Sequence, residues 1–224
     1  MANKNKQHDE LENVEHVLST SEAFIEKYQK QILYVVGGIV LVVIIILAIH
    51  NFYLKPRENE AATEMSKAQM YFGVDSFKVA LDGKANEFLG FKEIVSEYGM
   101  TSSGNLASAY AGICYYKLGQ YDDAINYLSQ FDGKDENVSV TVTGLIGDSY
   151  VEKGDLKKAL NYLEKAADSE NEVLSPVYLK KAAVVYESLN LPEKALELYN
   201  QIKNDYPKSS EAADIDKYIA RLSK

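Results

Sequence analysis

Three kinds of side chain in this sequence could do chemistry: three histidines, one cysteine and, beyond residue 55, two pairs of adjacent carboxylates. His8, His16 and His50 all precede residue 55, so the rest of the chain lacks imidazole, the commonest general base and the commonest metal ligand. Cys114 shares a helical face with Ala107, Ala111 and Leu118, a setting where a thiol serves as a small apolar filler rather than a nucleophile. Asp122 with Asp123, and Asp135 with Glu136, are paired carboxylates, but neither pair has the histidine or metal cluster that acid/base work requires. The first pair is expected in the opening turn of a helix, where negative charge meets the positive end of the peptide dipoles, and the second in a solvated loop. Gly133-Lys134-Asp135 lacks the upstream glycine of a phosphate loop, and Gly144 and Gly147 fall inside a helical pattern rather than after a strand. No catalytic residue, metal or cofactor is expected.

The elements that would position these groups are laid out unevenly. From Ile32 to Ile49 no charged residue occurs, and apolar character resumes at Phe52, Tyr53 and Leu54. A helix rising about 1.5 Å per residue needs about 20 such residues to cross a hydrocarbon core of about 30 Å. A single transmembrane helix over 31–54 is therefore expected, in contact with the lipid bilayer through residues 32–54. A cleaved signal peptide is the alternative, but the run is long for one, a polar stretch precedes it, and no small-x-small site follows. Tyr34, Phe52 and Tyr53 suit the headgroup regions, and Lys30 and Lys55 bracket the span. Gly37 and Gly38 lack the four-residue spacing of a helix-pairing motif. In the polar tail, 1–30, the apolar spacing from Leu11 to Tyr28 fits one amphipathic helix, or two short ones divided at Ser19 to Ser21.

Of the chain's 24 basic and 33 acidic residues, the first 30 positions hold four and six, and the span holds none, so the remainder carries net −7. Such a surface repels phosphate backbones, and no basic stripe overrides it, so no nucleic acid partner is expected. One cysteine excludes an intramolecular disulfide.

Beyond the span the dominant signal is internal repetition. YYKLGQYDDAINYL from Tyr115, YVEKGDLKKALNYL from Tyr150 and YESLNLPEKALELY from Tyr186 superimpose. Each has a Tyr late in one helix, then Gly119, Gly154 or Asn190 at the turn, then Ala124, Ala159 or Ala195 on the next helix. Glycine, with asparagine second, suits a left-handed helix cap because a Cβ is penalised at positive φ. The alanine, with Gly112, Gly147 or Ala183 three residues before each Tyr, lets two helices approach closely. A fourth, degenerate copy is expected at 55–104. Its leading helix would run from Glu60 to Phe72, Glu97 to Ala107 would align with Asp205 to Ile215, and an insertion would occupy Val74 to Ala85. Full repeats follow at 105–139, 140–175 and 176–208. A capping helix, 209–224, would be N-capped by Ser209 or Ser210 and carry Ile215, Tyr218, Ile219 and Leu222 inward. The fold class is thus all-α, a single N-terminal transmembrane helix followed by an α-solenoid of helical hairpins with a C-terminal cap.

This grammar of small residue, Tyr, turn Gly, Ala and the large apolar Leu128, Leu163 or Tyr199, closing on Pro207, resembles the tetratricopeptide repeat over residues 105–222. It departs at Phe131 and Ile202, where the family has a small residue, and at Glu136 and Asn171, where it has Pro. The layout of tail, span and repeats is similar to the ancillary translocon subunit family of bacterial inner membranes and to repeat proteins of the Bacteroidetes. That resemblance implies a cytoplasmic N-terminus, a periplasmic repeat domain and contact with exported proteins, chaperones or the secretion channel. Charge alone leaves the topology open, since Lys27 and Lys30 precede the span while Lys55, Arg57 and Lys67 follow it.

The resemblance also implies a concave groove lined by the first helix of each hairpin, receiving proteins or peptides. Its exposed residues would be Leu106, Ala109, Ile113 and Tyr116, then Gly144, Asp148, Val151 and Glu152, then Val177, Lys180, Val184 and Glu187. The Lys and Asn set with which some members hold a terminal carboxylate is missing. Two alternatives remain open: a self-associating organiser of an envelope complex, in which the same face packs on a second copy as a homo-oligomer or on the juxtamembrane helix, and a scaffold facing the cytoplasm.

Overall fold

The computed structural model describes residues 27–133 and 135–223, so His8, His16 and nearly all of the expected tail helix lie outside the described residues. The chain divides into two compact units, Met1–Lys55 and Pro56–Lys224. In the first, helix α1 (27–48) runs into a π-helical stretch, Ile49–Leu54. Its most apolar window has a mean hydropathy of 3.3 and no buried residue, so this helix is long and apolar enough to cross a membrane.

The second unit is a series of helices, each from α3 onward packed on the next: α2 (Lys55–Phe72), α3 (Phe77–Asp82), α4 (Phe91–Tyr98), α5 (Ser102–Lys117), α6 (Tyr121–Leu128), α7 (Glu136–Glu152), α8 (Leu156–Ala167), α9 (Leu174–Ser188), α10 (Pro192–Asp205) and α11 (Ile215–Leu222). Strands β1 (Gly83–Lys84) and β2 (Phe88–Leu89) form one short antiparallel hairpin. Two buried clusters follow one another along the array, from Met65 to Ile146 and from Val140 to Ile215.

Local chemistry sets the turns. Gly119, Gly154 and Asn190 have φ of 74°, 77° and 56°, and the next residue's N–H returns to the carbonyl of the repeat tyrosine at 2.9, 3.0 and 3.0 Å. A Cβ on Gly119 or Gly154 would meet nothing within 4 Å, so backbone conformation alone selects glycine there. The small residues of the first helices answer to space instead: a Cβ on Gly147 would lie 2.8 Å from Leu163 Cγ, and Leu163 is fully buried. Ala124, Ala159 and Ala195 are fully buried in the facing helices.

The first repeat differs from the expected one. Asp75 takes the left-handed conformation at φ 58°, and Ser76 N–H donates to Tyr71 O at 3.0 Å, the same cap as in the later repeats. Ala68, Tyr71, Asp75 and Ala80 therefore occupy the small, Tyr, turn and Ala positions, and α3 opens the second helix of the hairpin. The stretch Val74 to Ala85 is thus not the insertion. The excursion is the eight residues from Gly83 to Gly90, which interrupt the second helix and return the chain to α4. A Cβ on Gly90 would collide with the backbone of Gly83 and Leu81, so the two ends of the excursion touch and the helix resumes. The leading helix begins at Lys55 rather than Glu60.

Three periods apart, Thr101 and Ser209 make the same pair of bonds. Thr101 Oγ1 donates to Tyr98 O (2.7 Å) and accepts from Gly104 N (2.9 Å); Ser209 Oγ donates to Tyr206 O (2.8 Å) and accepts from Ala212 N (3.2 Å). Ser209 thus holds the Ala212 N–H of a 3₁₀ turn, Glu211–Asp214, whose N-cap is Ser210, and α11 starts only at Ile215. Asp135 is not in a solvated loop: it N-caps α7 by accepting from Val138 N at 2.9 Å, with Glu136 in the first turn. At Asn171, the side-chain oxygen takes the N–H groups of Val173 and Leu174 at 3.0 and 2.9 Å, so the chain enters α9 without a proline at position 171.

Candidate functional site

The first helices α5, α7 and α9 share one side of the array, and between them lies a cleft of about 440 Å³. It gathers Tyr116 from α5, Asp148 and Val151 from α7, and Val177, Lys180 and Val184 from α9, six of the residues expected to line a groove. Val184 is 46% exposed, a β-branched apolar side chain left open to solvent on an otherwise packed helix.

The other six expected residues are placed elsewhere. Ala109 is buried rather than exposed, because it belongs to the same core cluster as Val142 and Ile146 of α7. Gly144 is also buried: the ring of Tyr178 from α9 covers it where a Cβ would otherwise project. Adjacent first helices therefore touch along part of the face that a helical wheel leaves open. Leu106 and Ile113 are half-buried against the first cluster. Glu152 accepts from the Tyr121 hydroxyl at 3.3 Å, and Glu187 accepts from Tyr199 Oη and Arg221 Nη2, both at 2.7 Å.

Four lining residues escaped the sequence analysis: Leu163, Lys181, Val185 and Glu211. Leu163 comes from a second helix and forms part of the floor, at the position its equivalents Leu128 and Tyr199 fill in neighbouring repeats. Lys181 had a legible signal, for it pairs with Asp148 across 33 residues, close to one repeat. Lys180 pairs with Asp214, and Arg221 with Glu187, each across 34.

Both lysines of the cleft are paired within the chain, while, among the described residues, the Glu211 carboxylate accepts only from the Ser210 hydroxyl. Lys181 Nζ lies 2.6 Å from Asp148 Oδ2 and 5.3 Å from the Tyr178 ring centroid. Lys180 Nζ lies 2.8 Å from Asp214 Oδ1 and 4.8 Å from the Tyr218 centroid. Burial works to lower the Lys180 ammonium, but the hydrogen bond to Asp214 outweighs it and the net shift is upward. The same bond holds the Asp214 carboxyl below its ordinary value. Burial, reinforced by Asp148, pushes the Tyr178 phenol up to about 12, and burial with Asp148 and Glu152 raises Tyr116, so both hydroxyls are neutral at physiological pH.

Nothing in this cleft is arranged as a catalytic constellation. Cys114 is fully buried, and burial pushes its thiol up to about 12. Asp122 lies in the first turn of α6 and pairs with Lys153. Among the described residues no group of three His, Cys, Asp or Glu side chains converges as a metal site would require.

Residues 144–172 match one family model described as a tetratricopeptide repeat, and residues 110–134 and 179–209 match a second with the same description. Two crystal structures of a Podosopora anserina protein, described as a kinesin light chain with nearly identical TPR-like repeats and differing by a substitution, superimpose at TM-scores of 0.55 and 0.54. Each is 14% identical to this chain; they cover 74% and 72% of it, and 86% and 84% of their own length. Identity that low carries the fold alone. No curated protein matches. Three segments of the chain are therefore similar to tetratricopeptide repeats, and the chain is an all-α solenoid of the kind whose general use is to bind proteins or peptides.

Proposed function

We propose that this protein is a membrane-anchored interaction scaffold whose cleft between α5, α7 and α9 receives a segment of another protein. The supporting observation is the cleft itself, where Tyr116, Val151, Val177 and Val184 present apolar surface from three consecutive repeats to solvent. Helical-hairpin arrays bind through such a face because each repeat adds side chains in register with the last. The helix over 27–54 would hold the array at a bilayer, and the layout of tail, span and repeats favours the outer face of a bacterial inner membrane. There the partners would be exported proteins, chaperones or secretion-channel components.

Replacing Tyr116 and Val151 together with Asp places two charges in the cleft without touching a fully buried residue. Capture of partners by crosslinking should be lost while helicity is kept; capture at the parental level would refute the groove. A reporter active only outside the cytoplasm, fused after the repeats, tests the orientation, and a signal from its cytoplasmic counterpart would reverse it.

A further inference from the structure

We infer that the occupant of this cleft is an apolar stretch of a partner protein without acidic groups, inserting one or two bulky side chains and forming no ion pair with the two lysines; this rests on the groove proposed above. Two observations point there. First, each lysine at the cleft already has both a carboxylate and an aromatic ring from the chain itself: Lys181 has Asp148 and Tyr178, and Lys180 has Asp214 and Tyr218. An acidic ligand would have to break one of these pairs to gain its own, leaving the displaced carboxylate uncompensated. Second, the cleft holds about 440 Å³, near the lower end of the range of roughly 300–1,000 Å³ for ligand sites. Such a space admits one or two bulky side chains as anchors. Partner affinity then comes from apolar burial against Tyr116, Val151, Val177 and Val184 and is indifferent to ionic strength.

The test uses the full chain in lipid nanodiscs, panned against random twelve-residue peptides in two arrays. One array is acetylated and amidated; the other has free C-terminal carboxylates. Empty nanodiscs are the control. Bound peptides should be enriched in Leu, Ile and Phe without enrichment in acidic residues, and blocked ends should bind at least as well as free ones. The signal should change less than about twofold between roughly 50 and 500 mM salt, and Val184→Asp, at a solvent-exposed position, should lower it at least about tenfold, roughly 1.4 kcal/mol. Selection of acidic sequences, a preference for free carboxylates or a steep loss with salt would overturn the inference and leave the groove standing. Peptides that bind Val184→Asp and Val151→Asp as well as the parent, or no binding above empty nanodiscs, would remove the groove and the inference together.

Discussion

Substituting Gly144 by alanine is the sharpest test of how the first helices meet. On an exposed helix this change stabilises by about 1 kcal/mol, because glycine has more backbone freedom to lose on folding. Here the new methyl would overlap Cε1 and Cζ of Tyr178 and lie 2.6 Å from its hydroxyl. That ring is only 6% exposed and sits in the cluster with Leu179 and Ala182, so it has no free direction in which to turn. Either the ring leaves its site or α7 and α9 separate, a strain of about 1–3 kcal/mol or somewhat more for so deep an overlap. After the helical gain is subtracted, the expected net loss is about 1–2 kcal/mol, which lowers the melting temperature by roughly 2–8 °C for a unit of this size. Differential scanning calorimetry of the parent, Gly144→Ala, Tyr178→Ala and the double variant completes a cycle. With the ring gone, alanine at 144 should become harmless or stabilising. A Gly144→Ala protein at least as stable as the parent, or one equally destabilised in the Tyr178→Ala background, would refute the close approach of these helices.

Three further outcomes follow from the geometry. Gly154→Ala should cost about 1–2 kcal/mol by thermal unfolding although its methyl has room, and Gly154→Asn should cost less, since Asn190 holds the equivalent left-handed turn; equal losses would show that space and not φ decides the position. The Lys180–Asp214 pair should give a pH-dependent contribution. Asp214 is held below 3.8, so its share is present above 3.8 and lost as pH falls through the lowered value; Lys180 is raised above 10.5, so its share is present below 10.5 and lost as pH rises through the raised value. The melting temperature of Asp214→Asn should accordingly lie slightly below the parent's at neutral pH and converge with it in acid, and parallel curves would exclude the pair. Cys114 should resist a thiol-exchange reagent at pH 8 until the chain unfolds, since burial holds its thiol near 12; rapid labelling of the native protein would contradict that burial.

The repeat grammar was legible because its terms are local. A left-handed cap selects Gly119, Gly154 and Asn190 from their own backbone, and a close helix contact selects Ala124, Ala159 and Ala195 by size. The same grammar was missed at Ala68, Tyr71, Asp75 and Ala80 because aspartate tolerates positive φ less often than glycine or asparagine, and because the eight-residue hairpin broke the period. Which apolar side lines a cleft was legible only to the helix face. Helical periodicity orients Ala109, Gly144, Val151 and Val184 toward one side, but whether each stays open depends on what the neighbouring repeat puts there, some 34 residues away. Tyr178 covers Gly144, and the core cluster shared with α7 takes in Ala109, while Val184 is left exposed. Charge behaves likewise: composition alone reported an acidic surface, and only packing could close Lys180 on Asp214 and Lys181 on Asp148. The sequence by itself determined the helices, their caps, their repetition and one apolar helix long enough to span a bilayer, because those depend on residues within a turn or two of each other. The tertiary structure decided which part of the shared face is a cleft and that its two lysines are already paired, because both depend on the distance between consecutive repeats.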